Sequence, residues 1–216
     1  MADPFTLELD FRNTRYQDAE KGLVALAAHF GMQWDGMAKV LSKELRNFLD
    51  TVAEALAQRH SVGWPSGTTP NTLSTRSGAL MESIKNSIVI EGSTIKDLTG
   101  YIGSDLVYAR IQEMGGTVTA KNAKYLTIPL PAALNSNGTP IHAKARDWPN
   151  TFVARSKAGN LLIFQKMGTN IIPLYVLKTS VYIPPRLGLG VTLNTGIPYF
   201  VERAMDQMVR ELQKAS

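Results

Sequence analysis

Residues Thr151–Lys166 read TFVARSKAGNLLIFQK. Two strand-like stretches, Thr151–Arg155 and Leu161–Lys166, flank Ser156–Asn160 (SKAGN), whose glycine suits a turn longer than two residues. This is an antiparallel hairpin signature, and it decides the fold class, because strands joined by hairpins need none of the helical crossovers of a doubly wound sheet. Upstream, Tyr125–Leu130 (YLTIPL) reads as a short strand stopped by Pro129 and Pro131. Downstream, Ile172–Ile183 supplies one or two strands, with Pro173 predicting an edge or a strand start. Asn135–Asn150 (NSNGTPIHAKARDWPN) has no period and reads as a long excursion. Further out, Ile88–Ile90 and Tyr101–Gly103 read as a second hairpin across Glu91–Thr99.

Helices bracket these strands. From Gly36 to His60, Met37, Leu41, Leu45, Phe48, Leu49, Val52 and Leu56 recur three or four apart, one stripe of an amphipathic helix that Asp35 would cap. Lys39, Lys43, Arg46, Asp50 and Glu54 fall off the stripe and should be solvated. Ser66–Arg76 (SGTTPNTLSTR) is a mobile connection by composition. Ser77 caps a short helix to Asn86, with Leu80, Met81 and Ile84 on one face. A second runs over Leu106–Met114, opened by Ser104 or Asp105 and closed by Gly115-Gly116. Pro184–Gly190 (PPRLGLG) reads as a connector. A last helix reaches about Lys214, with Pro198 in its first turn, Val201, Met205, Met208 and Leu212 as its buried stripe, and Phe200 and Ala204 beside it. Near the start, Thr6–Phe11 alternates like a half-buried strand and Tyr16–Phe30 reads as a short helix broken at Gly31. The expectation is α+β: mainly an antiparallel sheet of hairpins packed with a long helix in the N-terminal half and a C-terminal helix. Residues 1–35 form an extension, and 36–216 one domain with a loop and hairpin insert at about 120–183.

Composition removes several functions. At 44% hydrophobic and 19% charged, the 216 residues are neither a disordered nor a collagen-like or coiled-coil chain. The absence of cysteine excludes disulfides, thiolate metal sites and cysteine nucleophiles. The histidines, at 29, 60 and 142, have no partner at metal-ligand spacing. His29 and His60 fall near helix ends, where a surface cation is favoured. Gly188-Leu189-Gly190 is only a fragment of a nucleotide-binding loop, and no Gly-x-Ser-x-Gly elbow occurs. No cofactor, metal or catalytic residue is expected, and the chain is not read as an enzyme. Met1-Ala2-Asp3-Pro4 lacks a basic leader, and the apolar run Leu23–Ala28 is short, so a cytoplasm-like compartment and no membrane contact are expected.

Charge is unevenly spread. Between Gly115 and Gly190, Lys121, Lys124, Lys144, Arg146, Arg155, Lys157, Lys166, Lys178 and Arg186 face one acid, Asp147, for +8. The remainder carries −3 and the whole chain +5. A basic surface of this kind meets an acidic protein or phosphate. Tyr125, Trp148 and Phe152 are too dispersed to be a base-stacking platform.

Three stretches carry more specific information: Ser77-Gly78-Ala79-Leu80-Met81-Glu82-Ser83-Ile84, Tyr108-Ala109-Arg110-Ile111-Gln112-Glu113-Met114-Gly115-Gly116, and Ile183-Pro184-Pro185-Arg186. In this order the chain resembles the tail-completion and neck (head–tail joining) proteins of tailed bacteriophages, including the Mu-like virion-morphogenesis group, over roughly residues 36–214 in layout. Those proteins show a long helix, a "TG-x-L-x-x-S-I" segment, a strand pair, a "YA-x-x-x-E/Q-x-G" helix end and a "P-x-R-P-F" turn before a terminal helix. Here Arg186-Leu187-Gly188 replaces the usual "R-P-F", leaving that turn less fixed, and the insert is long. The resemblance implies a virion structural protein that forms a ring with copies of itself. Its partners would be other neck, connector or tail-tube proteins, with packaged DNA nearby. The alternative is a non-specific nucleic-acid binder using residues 115–190. The interaction candidates are Gly78, Leu80, Tyr108, Glu113, Gly115, Pro185 and Arg186, with Lys121, Lys124, Lys144, Arg146, Arg155, Lys157 and Lys166 as a basic patch. Gly78 would let its helix start close to neighbouring backbone while Leu80 packs. Tyr108 and Ile111 would share a packed face. Glu113, unfavourable at a helix C-terminus, would pair with a basic group near Arg186. Pro184-Pro185 would aim the chain into the last helix.

Overall fold

The computed structural model describes residues 9–11, 14–16, 34–66 and 68–214. The expected helix over Tyr16–Phe30 lies outside these residues from position 17 on. The fold is α+β with antiparallel sheets, and the chain forms two compact units, each assembled from separated stretches.

The first unit comprises Met1–Val52, Ser87–Ile102 and Leu193–Ser216. At its start, β1 (Leu9–Phe11) pairs with β2 (Thr14–Tyr16), so Tyr16 belongs to a strand rather than a helix. Helix α1 (Trp34–Arg59) follows the expected stripe and contributes to both units. Met37, Leu49 and Val52 are buried, while Lys39, Lys43 and Arg46 are exposed. β3 (Val89–Glu91) and β4 (Thr99–Tyr101) form the expected hairpin. Asp97 organises its turn, accepting hydrogen bonds from the Ser93 and Thr94 amides at 3.1 and 2.7 Å. Gly100 packs where a Cβ would sit 2.9 Å from Leu49 Cδ1, so the β4 backbone lies directly on α1.

The C-terminal helix α4 spans Leu189–Lys214, its residues from Leu193 onward in this unit. Its start is nine residues before Pro198, which therefore lies inside the helix and not in its first turn. Proline lacks the amide hydrogen of an i→i−4 bond, so the helix loses one rung there. The buried face also differs. Ala204 is buried and Phe200 stacks on Phe48 at 5.2 Å, whereas Val201 and Met205, expected inside, are exposed. One ion pair is sunk into this packing. Arg203 Nε donates to Glu44 Oε2 at 2.7 Å, and the Glu44 side chain is 7% exposed against 66% for Arg203.

The second unit comprises Ala53–Asn86 and Gly103–Thr192. It holds a four-stranded antiparallel sheet ordered β6 (Leu126–Pro129), β9 (Asn170–Lys178), β8 (Leu161–Met167), β7 (Thr151–Arg155). The hairpin read first, β7–β8, pairs from Thr151↔Gln165 to Arg155↔Leu161. Pro173 is not at a strand start but inside β9, where the β8 register slips between Ile163 and Phe164. A bulge tolerates proline, and β6 pairs only with Tyr175–Lys178 on the other side, so no second partner needs an amide at 173. The core beneath holds Ala133, Leu174 and Tyr175, with Trp148 Nε1 donating to Tyr175 Oη at 2.9 Å. β5 (Gly116–Thr119) pairs separately with β10 (Ser180–Ile183). Residues 120–179, including the four-stranded sheet, thus leave and return at neighbouring points, and the Ala120 amide donates to the Thr179 carbonyl at 3.3 Å.

The charge division follows these units. The second holds thirteen basic residues against five acidic, the first ten against thirteen. Counted along the sequence, the residues of the two units thus carry +8 and −3.

Candidate functional site

The three family-like stretches, far apart in sequence, meet in the second unit. The first forms helix α2 (Ala79–Asn86), whose Ala79 amide donates to Ser77 Oγ at 3.4 Å. Gly78 has φ +77 and open space where a Cβ would stand. Its glycine is needed for a left-handed backbone and not, as expected, for a close approach. Ser83, one turn on, reaches Ser104 and Asp105 at 2.8 Å each.

The second stretch forms helix α3 (Ala109–Met114). Tyr108 stands before its first residue and is 45% exposed, so it is a surface side chain and not part of a packed face with Ile111. The residue buried there is Ala109. Gly115 ends the helix at φ 68 and ψ −179, and a Cβ on it would lie 2.7 Å from Pro185 Cδ. The last turn of α3 and the Pro184-Pro185 turn therefore touch at a position only glycine can fill.

The third stretch is fixed by α3. The Gln112 carbonyl accepts the amides of both Arg186 (2.7 Å) and Leu187 (2.9 Å). Leu187 is buried, so the turn expected to be less fixed is held by packing as well as by these two hydrogen bonds. Glu113 does not pair with the Arg186 side chain. Its carboxylate accepts the amides of Leu189 (2.8 Å) and Gly190 (2.9 Å), the first free donors of α4. A negative group at a helix N-terminus satisfies donors and opposes the positive end of the dipole. This places the α4 start at Leu189 and makes Gly188-Leu189-Gly190 a helix entry rather than a connector.

Above this junction lies a half-open cavity of about 500 Å³, wholly within the second unit. Gly78, Leu80, Tyr108 and Arg186 line it, so four of the seven candidates share one wall system while Glu113, Gly115 and Pro185 brace it from the α3–α4 junction. Sequence reasoning missed other contributors. Trp64 and Arg76 line the cavity, with the Arg76 guanidinium 4.5 Å above the indole. Gly138, at φ +74, lies so close to the indole that a Cβ would be 2.5 Å from Trp64 Cγ. Gln112 Oε1 and Arg186 Nε are withdrawn from solvent without a hydrogen-bond partner. The composition of Ser66–Arg76 points to a mobile connection, yet it is tied down: the Trp64 amide donates to the Thr75 carbonyl, the Thr75 amide to the Val62 carbonyl, and Arg59 Nη2 to Asn71 O.

His60 holds this wall. It is 2% exposed, not a surface residue. Nδ1 accepts the Leu73 amide at 3.0 Å, so Nε2 carries the hydrogen and donates to Leu187 O at 3.0 Å. Burial pushes its pKa below the usual histidine value, opposed by the Leu187 hydrogen bond and assisted by nearby Arg59.

The seven basic-patch side chains, Lys121, Lys124, Lys144, Arg146, Arg155, Lys157 and Lys166, are all exposed and lie outside this cavity. Lys144 and Arg146 line a second recess with His142 and Phe152, and Lys124 sits over the Tyr125 ring at 5.5 Å. Among the described residues no helix is long and apolar enough to cross a membrane. Comparisons with protein-family models, with curated proteins and with solved structures find no match.

Proposed function

We propose that the chain is a structural subunit of a phage neck or of the head-proximal end of a tail, assembling in a ring and joining head to tail components without catalysing a reaction. The observation that supports this is that the three stretches line one cavity, beside which the Gln112 carbonyl, Glu113 and Gly115 each engage residues 183–190. This junction fixes where α4 begins. A closed ring needs two unlike patches on each subunit. The second unit, with thirteen basic residues against five acidic, supplies one such patch by charge. Mass spectrometry of purified particles is the direct test: the protein should be present at the copy number of a ring. Tailed particles that lack it would overturn the assignment.

The seven exposed basic side chains, none in an ion pair among the described residues, favour a second reading, non-specific nucleic-acid binding. That reading requires mobility shifts of DNA that weaken steeply with added salt. No shift near physiological salt removes it.

A further inference from the structure

We propose that the cavity between α2 and α3 is a receptor for an acidic peptide segment: an Asp or Glu carboxylate of a protein partner, with an apolar side chain next to it. The proposal stands on the cavity's own chemistry and does not require the virion assignment.

Two guanidiniums line the cavity, and no lysine, aspartate or glutamate does. Arg186 has no ion-pair partner among the described residues, and its Nε lacks any hydrogen bond although buried. Arg76 is exposed and held over Trp64. A recess with two uncompensated cations attracts an anion, and the planar arginine fork matches a planar oxyanion with two parallel hydrogen bonds.

Three features select a peptide carboxylate over a phosphodiester. First, Gln112 Oε1 is a buried acceptor lacking a donor. A peptide brings amide hydrogens beside its carboxylate; a phosphodiester brings none. Second, Leu73, Leu80 and Met81 give the cavity an apolar wall that a neighbouring side chain can cover. Third, the exposed lysines that would track a nucleic-acid backbone lie elsewhere on the unit. Both orphan atoms belong to residues that line the cavity. An unmet buried polar atom is unfavourable, and relieving two of them adds to the drive for binding.

The test titrates the full chain, observed by NMR, with acetyl-Leu-Asp-Leu-amide, its Asn counterpart, inorganic phosphate and a thymidine oligonucleotide. The Asp peptide should shift the Trp64 indole signal and the Gln112 and Arg186 amides. The Asn peptide should bind about tenfold more weakly, and Arg186→Gln and Arg76→Gln should each weaken the Asp peptide about tenfold. Arg76 is a surface residue, so its variant keeps the test valid if Arg186→Gln does not fold. Equal binding of the Asp and Asn peptides, no shift at these signals, or stronger binding of phosphate or oligonucleotide at the same signals would overturn the proposal.

Discussion

His60 joins two chain segments through one neutral imidazole, and that makes it a pH-dependent tie. Protonation would place a hydrogen on Nδ1 facing the Leu73 amide hydrogen. The folded-state pKa is lowered mainly by burial, with Arg59 adding to the effect. Below the unfolded value near 6.5, the unfolded chain therefore binds more protons than the folded one. Stability is full above that pH and is lost as pH falls through the window beneath it. Urea unfolding at about pH 7.5 and 5.5 should show a lower midpoint at the acid value, and His60→Asn should flatten the difference. Asp97 acts in a separate, more acidic window, because hydrogen bonds from Thr94 and Ser93 hold its carboxyl below the usual aspartate value. Its contribution fades only below that ordinary value. A backbone prediction belongs at this scale too. Gly115→Ala places a methyl against Pro185 at a positive φ, and it should destabilise by about 1–3 kcal/mol in equilibrium denaturation.

At the scale of elements, α4 begins where Glu113 allows it to begin. Glu113→Ala leaves the Leu189 and Gly190 amides without their carboxylate, a loss of about 1–2 kcal/mol in urea unfolding, and Glu113→Gln should lose less because one oxygen still accepts. Pro198→Ala should restore the missing rung and raise stability by about 1–3 kcal/mol, read as a higher urea midpoint. The same elements separate what the sequence makes legible from what it hides. The α1 stripe and the β7–β8 hairpin are local patterns, with periods of 3.6 and 2, and both appear where those periods put them. The start of α4 depends on a carboxylate 76 positions away in the chain, and no local pattern records it. Pro173 belongs in the same class, since its bulge is defined by a facing strand. At the cavity, motif spacing picked out Gly78, Leu80, Tyr108 and Arg186. Trp64, Arg76 and Gln112 were invisible because they enter through a ring contact 12 residues apart along the chain or through an unmet hydrogen bond. His60 was misread for the same reason, its partners being 13 and 127 residues along the chain.

For the whole molecule, the second unit carries thirteen basic residues against five acidic. If rings form through opposed patches, light scattering should show the assembly dissociating as ionic strength rises from about 0.05 to 0.5 M, where screening shortens the reach of surface charge severalfold. The pairing of β5 with β10 has a consequence of another kind. Residues 120–179 enter and leave the fold across one ladder, closed by Thr119↔Ser180 and the Ala120–Thr179 hydrogen bond. Such a segment can change in length between its paired ends without pulling on Gly115 or Pro185, provided Gly138 and Thr139 keep their place beside Trp64. It also carries eight of the basic residues and one acid. Evolution or an engineer neutralising the charges of this segment would take the chain from +5 to −2, reversing the sign of its charge while the α3–α4 junction kept its frame.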